Sequence, residues 1–312
     1  MKGNFGPRLG VAFCAAVFAL LRCASAQALI VGPGGFADLD SAYAAAQSGD
    51  LILVRQDTWF SRLDGKGVRI LSDGATYRLD ALYGTAPAGI VNLPAGESIE
   101  LRDFNIVPVG NLVGGTGAAF RIENCAGSVV LMSCVIDGVL TSQVDAAPTF
   151  LVESCSRVSI YGGFFNGRNA KQSGVCTPRG TDGVRIENST VGLYGAFFSG
   201  GAYASPYSNG CPNAPDGQGV SAQDSVVYCV DSGVSGGSSQ GSGLDIMSLD
   251  SVFYGPTGGY VLEGGGIYYA NGSPSPNVFG VNANVVLGSY RKPWMTATRS
   301  AVGATLDVYA QT

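Results

Sequence analysis

The chain has 312 residues, of which 46% are apolar and 13% charged, about half the usual charged share of roughly 25%. The apolar content is too high for a disordered chain, and 47 glycines without a three-residue period exclude collagen. Histidine is absent, which removes His-dependent general bases, His-containing Ser or Cys triads and His-ligated metals; a net charge of −5 with scattered Lys and Arg argues against a nucleic-acid partner.

Residues 1–26 read as a secretory signal. Lys2 and Arg8 give a positive start, Val11 to Leu21 is apolar, and Ala24-Ser25-Ala26 offers a cleavage site before Gln27. The apolar run is too short to span a bilayer, and no other stretch reaches the ~18 residues that a transmembrane segment needs. A lipid anchor on Cys23 is disfavoured by Arg22, which stands where such signals want a small residue. The expected location is therefore secreted or cell surface. Cleavage would leave 15 basic and 23 acidic residues, a net −8. It would also leave six cysteines: Cys125, Cys134, Cys155, Cys176, Cys211 and Cys229. None forms a C-x-x-C pair, so no zinc site is expected.

Residues 36–54 form one unit. Asp38 or Asp40 caps a short helix reaching about Gln47, with Leu39, Ala42, Tyr43 and Ala46 on one face. Gly49 stops it, and Leu51-Ile-Leu-Val54 follows as a buried strand. A stacked column of strands exposes core at its end, so the helix is expected to plug it.

A degenerate repeat follows. Ile99-Glu-Leu101 and Phe104-Asn-Ile106 give an early copy. Phe120-Arg-Ile-Glu-Asn-Cys125, Val129-Val-Leu131 and Val135-Ile-Asp-Gly138 form a full unit. Phe150 to Gly167 repeats it, as does Val184 to Gly200; Val220 to Gly236 and Leu244 to Gly259 drift. Each unit alternates apolar and polar residues in short runs broken by Asn, Ser, Asp or Gly, which predicts two or three very short strands per unit. Such strands are stable only when stacked on copies of themselves. Glu123, Glu153, Glu187 and Gln223 occupy one repeat position at steps of 30, 34 and 36 residues. The excess length lies in 168–182 and 201–218, Gly-, Pro-, Asn- and Ser-rich loops that should leave neighbouring coils at one corner. Cys176 and Cys211 sit at matching places in these loops, so a disulfide between them is expected. Cys125 and Cys155 share a repeat position and would stack, either bonded or as buried thiols.

Phe36 to Val54, with Ala42, Ala46 and Gly49-Asp50, and the continuation Leu63-Asp-Gly-Lys-Gly-Val-Arg-Ile-Leu-Ser-Asp-Gly74, resemble the opening of exported right-handed parallel β-helix proteins of the pectate-lyase-like superfamily, in a bacterial branch of uncharacterised surface proteins. The resemblance covers about residues 29–290 and implies an all-β solenoid with a short N-terminal capping helix. It implies no single activity, because the fold hosts lyases, hydrolases, binding proteins and structural spikes. The expected organisation is a signal peptide over 1–26, a β-helix over 27–290 and a tail over 291–312. The tail sits where such proteins carry a second small domain and reads as truncated, with one strand over Leu306 to Tyr309.

No catalytic residue is named by the sequence. Thr181-Asp-Gly183 faintly resembles a polygalacturonase motif, but Gly180 stands where that motif has Asn, so Asp182 reads as a turn residue. Period two places Arg121, Glu123, Glu153, Arg185 and Glu187 on one outward face at strand spacing, about 4.8 Å between rungs. Two readings fit: a solvated charge ladder, or a groove for Ca²⁺ or sugar, with Glu123, Glu153 and Glu187 as weak Ca²⁺ candidates. Tyr203 and Tyr207 in the 201–218 loop suit either loop packing or stacking on sugar rings. Phe164-Phe165 and Phe197-Phe198 are expected inside the column. The expected function is non-catalytic contact with polysaccharide or other cell-envelope material, with no required cofactor. The alternatives are a Ca²⁺-assisted polysaccharide lyase using Arg185 as base, and a structural spike subunit.

Overall fold

The computed structural model describes residues 28–82, 88–109, 118, 120–138, 148–167, 180–201, 217–230, 232–236, 246–249, 252–255, 266–270, 278–281, 283–285, 294–299 and 306–311. Strands dominate, and α1, Leu39–Ala45, is the one helix among the described residues. The strands form three parallel sheets of eleven, eight and seven members, an all-β parallel solenoid. From Leu51–Val54 to Ile246–Leu249 each turn of the chain gives one strand to each sheet. In one turn Phe120–Glu123 lies in the second sheet, Ser128–Met132 in the first and Val135–Asp137 in the third. The next turn begins at Phe150–Glu153 and pairs in register, Phe120 on Phe150 through Glu123 on Glu153. Phe150 then pairs with Val184, and Val184 with Val220. Repeats of unequal length thus become exact neighbours. A separate antiparallel pair joins Trp294–Arg299 to Leu306–Gln311, so the tail strand anticipated near Leu306 exists and runs against a partner.

Two corners of each turn have the same construction. Between the second and first sheets, Asn92, Asn124, Ser154, Asn188 and Asp224 take φ of 54°, 55°, 55°, 48° and 48°. These left-handed conformations turn the chain within one residue, and short polar side chains tolerate them best. The amides of Asn92, Asn124, Ser154 and Asn188 each donate to the carbonyl one turn ahead, on Glu123, Glu153, Glu187 and Gln223, at 3.0 Å each. The polar breaks in the repeat are therefore its hinges. Between the first and third sheets, Asp103, Ser133, Gly162 and Gly195 play the same part. The third corner carries the insertions.

The residue after the first hinge forms an inner ladder. Ser189 Oγ donates to Glu187 O at 2.7 Å and accepts from Cys155 N at 2.9 Å. Ser225 Oγ donates to Gln223 O at 2.6 Å and accepts from Ser189 N at 3.1 Å. Cys125 and Cys155 occupy the same position and turn their sulfurs to Glu123 O and Glu153 O, at 3.4 and 3.2 Å. Both are buried free thiols, as is Cys134. The choice left open by the sequence thus falls to thiols. Cys176 and Cys211 lie outside the described residues, as does the side chain of Cys229.

A run of rings fills the column. Phe120 meets Phe60 at 6.1 Å and Phe150 at 5.6 Å between centroids; Phe150 meets Phe165 at 5.6 Å, and Phe165 stacks on Phe198 at 4.8 Å. Only one member of each Phe-Phe pair belongs to it. Phe165 and Phe198 are buried, whereas Phe164 and Phe197 are 54% and 39% exposed. Period two cannot send neighbours to the same face, which corrects the expectation that both pairs stack inside. Truncating Phe150→Ala should cost about 3–5 kcal/mol in urea denaturation. Cys155→Ser should stay within about 1 kcal/mol, because serine already fills that ladder position on the next two turns, at Ser189 and Ser225.

Asp38, not Asp40, caps α1: it is extended at φ −147° and its carboxylate accepts from Ser41 N at 2.7 Å. Asp40 instead accepts from Ser61 N and Oγ. Leu39, Ala42 and Tyr43 enter the core. The Tyr43 hydroxyl donates to Lys66 O at 3.0 Å, and the Lys66 ammonium lies 4.7 Å from the Tyr43 ring centroid. Burial pushes the Tyr43 hydroxyl from 10.0 up to about 12, so the folded chain keeps a proton that the unfolded chain releases. The associated stability is complete below pH 10 and is lost as pH rises towards 12. Tyr43→Phe should flatten that loss, read as the change in urea midpoint between about pH 9 and about pH 11.

Candidate functional site

The outward face of the second sheet holds the charged residues singled out by the repeat. Glu123, Glu153, Glu187 and Gln223 sit on successive strands in register. One position over, Arg121, Leu151, Arg185 and Ser221 form the next row. Carboxylates this close repel, and the arginines answer it unequally. Arg121 reaches Glu153 at 3.1 Å and Glu123 at 3.5 Å, tying the first two glutamates together. Its Nε is enclosed without a partner among the described residues. Arg185 turns the other way, to Asp182 at 3.0 Å. Glu187 has no ion pair among the described residues.

Arg185 turns away because Asp182 is the better-placed anion. Asp182 is 2% exposed; its Oδ1 accepts from Gln218 N at 2.9 Å and its Oδ2 from Arg185 Nε and Nη2 at 3.3 and 3.0 Å. Its own carbonyl accepts from Thr149 N. Asp182 thus precedes its strand as expected, and it also bonds across three turns where the 168–182 and 201–218 segments leave the column. The sequence signal was its spacing of three from Arg185, which becomes meaningful only once burial is known.

Among the described residues no group of three or more Cys, Asp or Glu side chains is placed to hold a metal. The guanidinium of Arg121 stands between Glu123 and Glu153, where a shared cation would have to sit. The three thiols are buried and differ in acidity. A hydrogen bond donated to Cys125 and then burial push the Cys155 thiol up, the same bond lowers Cys125, and burial pushes Cys134 up to about 12.

Aromatic residues also mark the outward faces of the other two sheets. Tyr161 and Tyr194 stack at 4.9 Å on the first sheet, and Tyr228, 39% exposed, lies beside them. Burial, then the neighbouring Tyr161 and Tyr228 hydroxyls, raise the Tyr194 pKa above 10.0. Across the Gly162-Gly163 corner, Phe164 and Phe197 stand outward on the third sheet with centroids 6.1 Å apart. Tyr203 and Tyr207 lie outside the described residues.

No family model matches the chain, and no curated protein is similar to it. Among solved structures, ORF18 of Geobacillus virus E2 aligns over 90% of this chain at 12% identity with a TM-score of 0.27. The chain spans 64% of that protein's length, and a likeness at this level supports no inference. Among the described residues no helix is long and apolar enough to cross a membrane.

The two charged clusters should respond differently to neutralisation. Asp182→Ala should destabilise the chain by about 3 kcal/mol, since it strands Arg185 and the Gln218 amide. Glu153→Gln, at a more exposed pair, should cost about 1 kcal/mol or less in the same denaturation experiment.

Proposed function

We propose that this is a non-catalytic, exported binding protein whose outward β-faces and corner loops contact carbohydrate or other cell-envelope material. Its location would be secreted or cell surface. The observation that supports this best is the set of large aromatic side chains held in solvent on neighbouring turns: Phe164, Phe197 and Tyr228. A solenoid normally turns such groups inward, and aromatic faces in water are suited to sugar rings. The charged residues favour binding over catalysis. Arg121 is committed to two glutamates and Arg185 to a buried carboxylate, so this reading gives Arg185 no role as a base.

The same reading takes the coil as right-handed, of the pectate-lyase-like kind, with α1 closing its N-terminal end. It takes the 201–218 loop, bearing Tyr203 and Tyr207, as a second contact zone, tied to the 168–182 loop by a Cys176–Cys211 disulfide. It takes Glu123, Glu153 and Glu187 as a face that screens the column in solution.

A glycan array probed with the purified chain, with and without Ca²⁺, tests the proposal. Glycan binding without any ultraviolet-absorbing unsaturated product from acidic polysaccharides is expected. Product formation that EDTA abolishes would replace this reading with a lyase.

A further inference from the structure

The outward face of the third sheet has two parallel rows. Val135, Phe164, Phe197 and Gly233 pair in sequence along one. Asp137, Asn166, Ser199 and Ser235 pair along the other, two residues further on each strand. Strand geometry sets the rows about 6.6 Å apart and the turns about 4.8 Å apart. One row is thus apolar and aromatic, and in the other Asp137, Asn166 and Ser199 present a carboxylate, an amide and a hydroxyl.

The polar row is already ordered. Ser199 Oγ donates to Asn166 Oδ1 at 3.0 Å, and Asn166 Nδ2 donates to Asp137 Oδ1 at 2.8 Å. Each group keeps capacity for one more partner: the second amide hydrogen of Asn166, a lone pair on Ser199, and the second oxygen of Asp137. Donors and acceptors therefore lie beside exposed ring faces on a rigid sheet. The aromatic row is held as well. A Cβ on Gly233 would come within 2.6 Å of the Phe197 ring, so that ring lies over the glycine and is supported from below.

We propose that this face binds a neutral polysaccharide running along the solenoid axis, across the strands, with sugar rings on Phe164 and Phe197 and hydroxyls on Asn166, Ser199 and Asp137. The inference rests on the carbohydrate-contact reading above and names its site and ligand class. Charge selects the class. Asp137 is the one formal charge in the two rows from Val135 to Ser235, and it is negative; Arg78, two turns back along the first row, is paired with Asp80, so an acidic glycan meets repulsion. A second copy of the chain fits less well. Two phenylalanines beside a hydrogen-bonding row make a small, mixed patch, whereas stable protein interfaces bury an apolar centre within about 1,200 Å² or more.

The test is affinity electrophoresis of the full chain in native gels containing hydroxyethyl cellulose, galactomannan or polygalacturonate. Retardation by a neutral polymer and not by polygalacturonate is expected. Phe164→Ala and Phe197→Ala should each weaken it about tenfold, Asn166→Ala several-fold, and Phe164→Trp should preserve it. Phe164→Trp and Asn166→Ala keep the test decisive should an alanine at 164 fail to fold. Retardation that ignores all these variants, or that Glu153→Gln alone abolishes, would overturn the site and leave the carbohydrate reading standing. Preference for polygalacturonate would overturn the ligand class. No retardation by any polymer, with none on the glycan array, would remove the parent reading as well. A Phe164→Ala chain that sediments as a smaller species than the parent would assign the face to a second copy instead.

Discussion

A strand of three to five residues has too few hydrogen bonds to stand in water alone. In this chain its partners are the same strand one turn earlier and one turn later, in parallel and in register. Everything else follows from that pairing. It stacks the left-handed hinge residues, whose amides reach the next turn at 3.0 Å. It also aligns Cys125, Cys155, Ser189 and Ser225 into one inner ladder and packs Phe120 on Phe150. A register slip of one residue would turn every core side chain to solvent, so the apolar alternation and the hinges enforce one another.

The same pairing concentrates like residues on the outside, where nothing dilutes their interaction. On the second sheet this gives a line of glutamates, and the chain relieves the repulsion locally. Arg121 bridges one neighbouring pair, and Arg185 is drawn to the buried Asp182 instead. On the third sheet it gives paired aromatic rings beside paired polar groups. The second arrangement is costly for a protein with no use for it, since exposed rings gain nothing from water. The two faces thus differ in kind: one is partly neutralised by its own ion pairs, and the other holds aromatic rings in water.

Insertions concentrate at the corner between the third and second sheets. At the other two corners a left-handed residue such as Asn124 or Asn188 bonds to the next turn, and the connections stay between one and six residues. Asp182 shows how the permissive corner is secured. Its carboxylate reaches Gln218 on the following turn and Arg185 on its own strand, so a long excursion returns to a defined point.

Much of the architecture was legible from the residues alone. Period-two runs with polar breaks gave the short strands, and the matched Glu123, Glu153 and Glu187 positions gave the stacking order before any pairing was known. The helix over Leu39–Ala45 was visible from its apolar face, although the choice of Asp38 over Asp40 as cap depended on where Ser61 lay. Tertiary structure alone decided which phenylalanine of each Phe-Phe pair faces water, because a doublet is silent about strand phase. It alone decided that Cys125 and Cys155 are thiols and that Asp182 is buried, since both depend on what the neighbouring turn presents. Local pattern specifies which segments repeat; packing of one turn on the next specifies which side of each segment is left in water.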